Sequence, residues 1–162
     1  MHPNEELVRR LYDALNAHDA AAMTACYAPD AVFSDPAFGE LAGAEVGAMW
    51  SMLCSRGKDL RATVDAVRAD DETGSAEWEA RYTYSGSRRP VHNVISATYR
   101  FRDGLIVEHR DSFDLWKWMG QALGPAGTLL GWTPVMQARV RGGARAALSS
   151  YIGRQPEPQP VA

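Results

Sequence analysis

The sequence predicts an α+β fold. Three observations carry the prediction: apolar residues recur at helical spacing in the first third of the chain, the period shortens to two between residues 60 and 113, and it becomes helical again from residue 114.

The first helix starts at Pro3 and Asn4. Leu7, Val8, Leu11, Tyr12 and Leu15 form its apolar face, and Glu5 and Glu6 sit in the first turn, where the helix dipole favours acids. A short second helix, capped by Asp19, runs to Tyr27 and is broken by Pro29-Asp30. The extended run Ala31 to Asp35 stops at Pro36, so Asp35 ends a strand or opens its loop. From Gly43 to Gly57, Val46, Met49, Trp50, Leu53 and Cys54 repeat as one face of a third helix. Four strands follow, over Leu60 to Ala69, Ser75 to Ser85, Val91 to Arg102 and Leu105 to Phe113, and the turn residues between them predict an antiparallel meander. Glycines 120, 124, 127 and 131 limit the helix that begins after Asp114. Thr133-Pro134 caps a last helix that Gly142-Gly143 should weaken. Residues 1–154 are expected to form one domain with a helical extension over 124–152. The proline-rich tail 155–162 is expected to be disordered.

Composition narrows the function. Seventeen basic against twenty acidic residues leave a net charge of −3, which offers no attraction to nucleic acid or an anionic membrane. The sequence holds no run of 18 apolar residues, and the opening MHPNEELVRR lacks the order of a signal peptide, so a cytoplasmic location is expected. Cys26 and Cys54 read as packed thiols. His2, His18 and His92 have no metal-ligand spacing, and neither a phosphate loop nor a nucleophile elbow occurs, so no metal and no cofactor are expected. Arg139, Arg141 and Arg145 read as a solvated helix face.

Strand parity points to a site. Ala76, Trp78, Ala80, Tyr82 and Tyr84 share one face of the second strand of the meander, and Asn93, Ile95, Ala97, Tyr99 and Phe101 share the matching face of the third. In the fourth, Leu105, Val107, His109, Asp111 and Phe113 take the inner face by the same count. Asn93, His109 and Asp111 thus intrude on a buried face. A buried carboxyl either finds partners or has its pKa raised, and such groups gather at functional sites. A core polar network and a cavity both satisfy this pattern. His92, Val94, Ser96, Thr98 and Ile106 fall on the outer face and make it mildly apolar.

The segments DAAAMTACYAPDAVFSDP (Asp19 to Pro36) and FRDGLIVEHRDSFDL (Phe101 to Leu115), with the order of elements, resemble the nuclear-transport-factor-2-like superfamily. That group includes SnoaL-like polyketide cyclases, limonene epoxide hydrolases and steroid delta-isomerases. The resemblance spans roughly residues 5 to 123. It implies a cone-shaped α+β barrel, a curved and mostly antiparallel sheet wrapped around the N-terminal helices with an apolar pocket between them. It also implies a homodimer through the outer sheet face. Asp35 in FSDP stands where the isomerases hold a proton-shuttling carboxylate, and Asp111 in HRDSFDL where epoxide hydrolases and several cyclases hold an acid/base aspartate. The isomerase tyrosine and second acid fall at Leu11 and Ala97, and the epoxide hydrolase arginine and aspartate at Trp78 and Ala80.

The expected activity is cofactor-independent acid/base chemistry on a hydrophobic polyketide-, steroid- or terpenoid-like substrate: isomerisation, aldol-type cyclisation or epoxide hydrolysis. The alternative is a non-catalytic binder of a hydrophobic metabolite. Asp35 is expected as base or shuttle, Asp111 as second acid/base and His109 as its partner, with Asn93 and Tyr12 as orienting donors. Phe33, Trp50, Trp78, Tyr82, Ile95, Phe113 and Trp116 are expected to supply apolar surface. Residues 124–152 should form a lid over the pocket mouth or pack on a dimer partner, burying Leu129, Leu130, Trp132 and Val135.

Overall fold

Helices begin where the sequence supplies a cap, as the computed structural model, which describes residues 1–155, shows at four places. The His2 ring accepts from Asn4 N at the start of α1 (Pro3–Asn16), and Asp19 from Ala22 N at the start of α2 (Ala20–Thr24). Two strands, β1 (Tyr27–Asp35) and β2 (Gly39–Ala42), precede α3 (Ala44–Arg56). The meander is β3 (Arg61–Ala69), β4 (Thr73–Thr83), β5 (Pro90–Arg102) and β6 (Leu105–Ser112). Asp114 caps α4 (Leu115–Leu123), α5 spans Pro125–Leu130, and Thr133 caps α6 (Pro134–Arg154). The expected disorder beyond Gln155 concerns residues outside those described.

The sheet runs β2-β1-β6-β5-β4-β3 and stays open between its edge strands. The meander is antiparallel as predicted, but β1 lies parallel to β6, with Phe33 opposite His109 and Ser34 opposite Arg110. The four residues of β2 were not predicted; they fold back on β1 as a hairpin with Asp35 opposite Gly39, whose φ of +71° suits glycine. The sheet's register shifts at three places, between Tyr27 and Val32 in β1, between Asp65 and Arg68 in β3 and at Val107 in β6. The last corrects the parity count. Phe101 faces Ile106 while Arg100 faces Glu108, so Val107 is the extra residue, and Ile106 turns inward to full burial. The outer face therefore loses Ile106, and Leu105 and Val107 are only partly buried.

The apolar faces of α1 and α3 meet the inner face of the sheet to form the core. The Asn16 side chain clamps α1 to β3 by bonding both the N–H and the C=O of Ala62. Cys26 and Cys54 are buried free thiols.

Gly142-Gly143 does not interrupt α6. Arg139, Arg141 and Arg145 lie on an exposed face of α6, as expected, but two of them also anchor it: Arg141 Nε donates to Pro36 O, and Arg145 Nη1 to Phe38 O and Glu40 O at 3.0 and 2.8 Å. Carbonyls in the turn before β2 and on β2, an edge strand, are good acceptors, and the guanidinium fork suits them. At the other end of α6, Tyr151 OH bonds Ser51 Oγ of α3 at 2.7 Å. By contrast Leu129, Leu130, Trp132 and Val135 are exposed in the single chain, so the cavity lid is not what buries them.

α5 presses on α4 at Gly127, where a Cβ would come 2.0 Å from Met119 O. Gly127→Ala must push the two helices apart, and we expect a loss of about 2 kcal/mol in urea denaturation.

Candidate functional site

The inner face of β4 and β5 alternates bulky with small side chains: Trp78 between Ala76 and Ala80, and Ile95 and Tyr99 either side of Ala97. The alanines leave space that α1, α3 and α6 roof without filling. The result is a cavity of about 440 Å³ with mainly apolar walls, a volume suited to a small organic ligand.

Two carboxylates reach it from adjacent strands. Continuing the β1–β6 register by two residues from the Phe33–His109 pair sets Asp35 beside Asp111 on the same face, and both line the cavity. Asp35 closes β1 because Pro36 ends the strand, and its Oδ1 accepts from Ala37 N and Phe38 N at 2.8 and 2.6 Å. Burial pushes its pKa up from 3.8 to about 6; the Phe38 N–H bond opposes this and the nearby Asp111 charge adds to it. Asp111 Oδ1 accepts from His109 Nε2 at 2.8 Å and from Trp78 Nε1 at 3.2 Å. Ala97, opposite Asp111, is small enough for the indole to reach across. In both aspartates Oδ1 takes the protein donors, so Oδ2 is left for a ligand.

Asn93 also lines the cavity, and its amide makes no hydrogen bond to the described residues. The Tyr82 hydroxyl accepts from Trp118 Nε1 at 2.7 Å, which leaves its proton to donate elsewhere. Burial pushes its pKa up to about 12, so it is a neutral donor.

Of the residues predicted from sequence, Asp35, Asp111, Asn93, Phe33, Trp50, Trp78, Tyr82, Ile95 and Phe113 all line this one cavity. Three do not. His109 is wholly buried behind Asp111, its Nδ1 bonded to Tyr27 OH at 2.8 Å, so it can act only through that carboxylate. Tyr12 is also fully buried. Its hydroxyl bonds Tyr99 OH at 2.5 Å and its ring packs on Trp78 with centroids 5.0 Å apart, so it supports the indole and offers no donor to the cavity. Trp116 is exposed and bonds Thr128 O, because α4 turns it to the opposite side from Trp118.

Sequence reasoning missed Tyr27, read as a helix end; it expected residues 124–152 at the pocket mouth but did not name the α6 residues there, Met136, Arg139 and Val140, which line the cavity. The heptad-like spacing of Met136, Val140 and Ala147 was the available signal. Among the described residues no three His, Cys, Asp or Glu side chains are grouped to hold a metal, and no helix is long and apolar enough to cross a membrane.

Residues 8–109 match the family model of the SnoaL-like domain. No curated protein sequence matches the chain. Among solved structures, one similar chain is a protein of ketosteroid isomerase-like fold from Catenulispora acidiphila, in complex with trimethylamine. Its TM-score is 0.66 at 20% identity, with 80% of this chain and 98% of that one covered. Another is IdmH from Streptomyces antibioticus, assigned as a polyketide cyclase, with a TM-score of 0.63, 24% identity, and 74% and 98% covered. A third is a limonene-epoxide-hydrolase-like enzyme of M. tuberculosis, at 0.62 and 19%, with 81% and 97% covered. These likenesses establish the fold: a curved, unclosed six-stranded sheet with helices. About a fifth to a quarter of this chain lies outside each match.

Proposed function

The chain belongs to the SnoaL-like domain family, and from that premise we propose that it is a cofactor-independent enzyme that moves protons on a hydrophobic polyketide-, steroid- or terpenoid-like ketone. The observation that carries this reading is two carboxylates, each with one uncommitted oxygen, on the wall of one apolar cavity. Asp35, with a pKa near 6, is ionised often enough at neutral pH to take a proton α to a carbonyl and basic enough to hold it. The enolate oxygen that forms is met by Tyr82 O–H and the Asn93 amide. The proton then returns at a second carbon in an isomerisation, or the carbanion closes on a second carbonyl and the new alkoxide takes it in an aldol cyclisation, with Asp111 as the second acid/base. Isomerisation or cyclisation is favoured over epoxide opening because Trp78 and Ala80 stand where the epoxide hydrolases carry an arginine and an aspartate, and Trp78 already serves Asp111.

Deuterium exchange at the α carbon of bicyclic ketones, beginning with 2-tetralone and followed by NMR in D2O, tests this. The wild type should accelerate exchange. Asp111→Asn keeps an oxygen for the His109 and Trp78 donors, and should slow exchange by about 100-fold while leaving ketone affinity within a few-fold. Saturable binding without accelerated exchange would make the protein a binding module instead.

A further inference from the structure

The cavity is electrically polarised. Its inner wall carries Asp35 and Asp111, and its mouth carries Arg56, in the last turn of α3, and Arg139, in α6. Both arginines are exposed, and neither guanidinium is paired with any described residue. Arg56 has a structural reason for its place, since a cation suits the C-terminal end of a helix. Arg139 has none: it lies inside α6, and its neighbours Arg141 and Arg145 are the ones that anchor the helix. One turn on from Arg139, Gly143 also borders the cavity, and a Cβ there would meet nothing within 4 Å, so the space beside the guanidinium is open.

We propose that the ligand is an apolar ring system bearing a single carboxylate, with the rings against Trp50 and Trp78 and the carboxylate at the mouth beside Arg139 and Arg56. This rests on the reading of the cavity as a substrate site and adds its substrate class and binding direction. A carboxylate entering first would face two aspartates in a poorly solvated place, whereas at the mouth it stays partly hydrated and meets two cations. The charges therefore admit one orientation, which brings the end remote from the carboxylate to Asp35.

The test uses pyrene-1-butyrate and its neutral methyl ester on the full chain, read by energy transfer from the cavity tryptophans Trp50, Trp78 and Trp118. The acid should bind about tenfold tighter than the ester at low salt, the scale of a charge-assisted hydrogen bond. High salt should shrink that preference. Arg139→Gln should remove most of it without changing ester affinity, and Arg139→Lys should keep part of it. Gly143→Trp, whose indole would occupy the mouth, should weaken both probes and so locate them. Equal affinities in the wild type, or an Arg139→Gln that weakens acid and ester alike, overturns the carboxylate assignment alone. If neither probe binds in a way that Gly143→Trp blocks, the cavity reading fails, and the assignment with it.

Discussion

Asp35→Asn should cost about 1,000-fold in turnover and at the same time make the protein more stable at neutral pH. Asparagine keeps the Oδ1 acceptor for Ala37 N and Phe38 N, so the turn that closes β1 survives. It removes a base whose pKa burial has raised to about 6 from 3.8. A carboxyl with a folded pKa above its unfolded one binds more protons in the folded state. Its stabilising effect is therefore complete in acid and is lost as pH rises from about 4 to 6. Two pK units correspond to about 3 kcal/mol, and about 2 kcal/mol is the expectation because Asp35 is only partly buried. Urea denaturation of wild type and Asp35→Asn should thus coincide near pH 4 and separate by about 2 kcal/mol in favour of the variant at pH 7.5. Wild-type kcat/KM should rise with unit slope up to about pH 6 and then level. A variant less stable than wild type at pH 7.5 would make Asp35 a structural turn residue and remove it from the chemistry.

What could be read in the sequence was local. Period-two alternation placed Trp78, Tyr82, Asn93 and Ile95 on one face because β4 and β5 pair regularly along their whole length. The same rule misplaced Ile106, since one extra residue at Val107 reverses the alternation, and nothing in the string LIVEH marks a bulge. The pairing of β1 with β6 joins residues more than seventy positions apart, so the proximity of Asp35 to Asp111 entered only through the FSDP and HRDSFDL resemblance. Arginines 139, 141 and 145 look alike in the sequence. Two anchor the helix and one borders the cavity, a distinction made by which turn of α6 faces the loop at residues 36–40. Trp116 and Trp118 differ by two positions and lie on different sides of α4, where amphipathic spacing could not choose between them.

His109→Ala is expected to cost about 3–5 kcal/mol, the largest loss of stability of any single change in the site, because it empties a packed volume and breaks a directed chain of hydrogen bonds. Trp50 Nε1 can only donate, so Tyr27 OH accepts from it at 3.0 Å and turns its own proton to His109 Nδ1 at 2.8 Å. A ring that accepts at Nδ1 carries its proton on Nε2, which donates to Asp111 Oδ1 at 2.8 Å. Burial holds the Tyr27 phenol proton well beyond neutral pH, so the phenol stays a donor. The imidazole is fixed besides by Tyr99 at 4.6 Å and by the edge of Phe33 at 5.0 Å between centroids. His109→Phe separates the two contributions. It fills most of the volume, leaves Tyr27 without its acceptor and Asp111 with one donor, and should cost about 2 kcal/mol. Combined with Tyr27→Phe it should cost less than the sum of the two single changes, by at least about 1 kcal/mol, since the phenol's contribution runs through the imidazole. Strict additivity would show that His109 contributes only packing. If the chain does orient Asp111, His109→Phe should also lower turnover while leaving ligand affinity unchanged, because a carboxylate held by Trp78 alone is free to rotate its reactive oxygen away from the cavity.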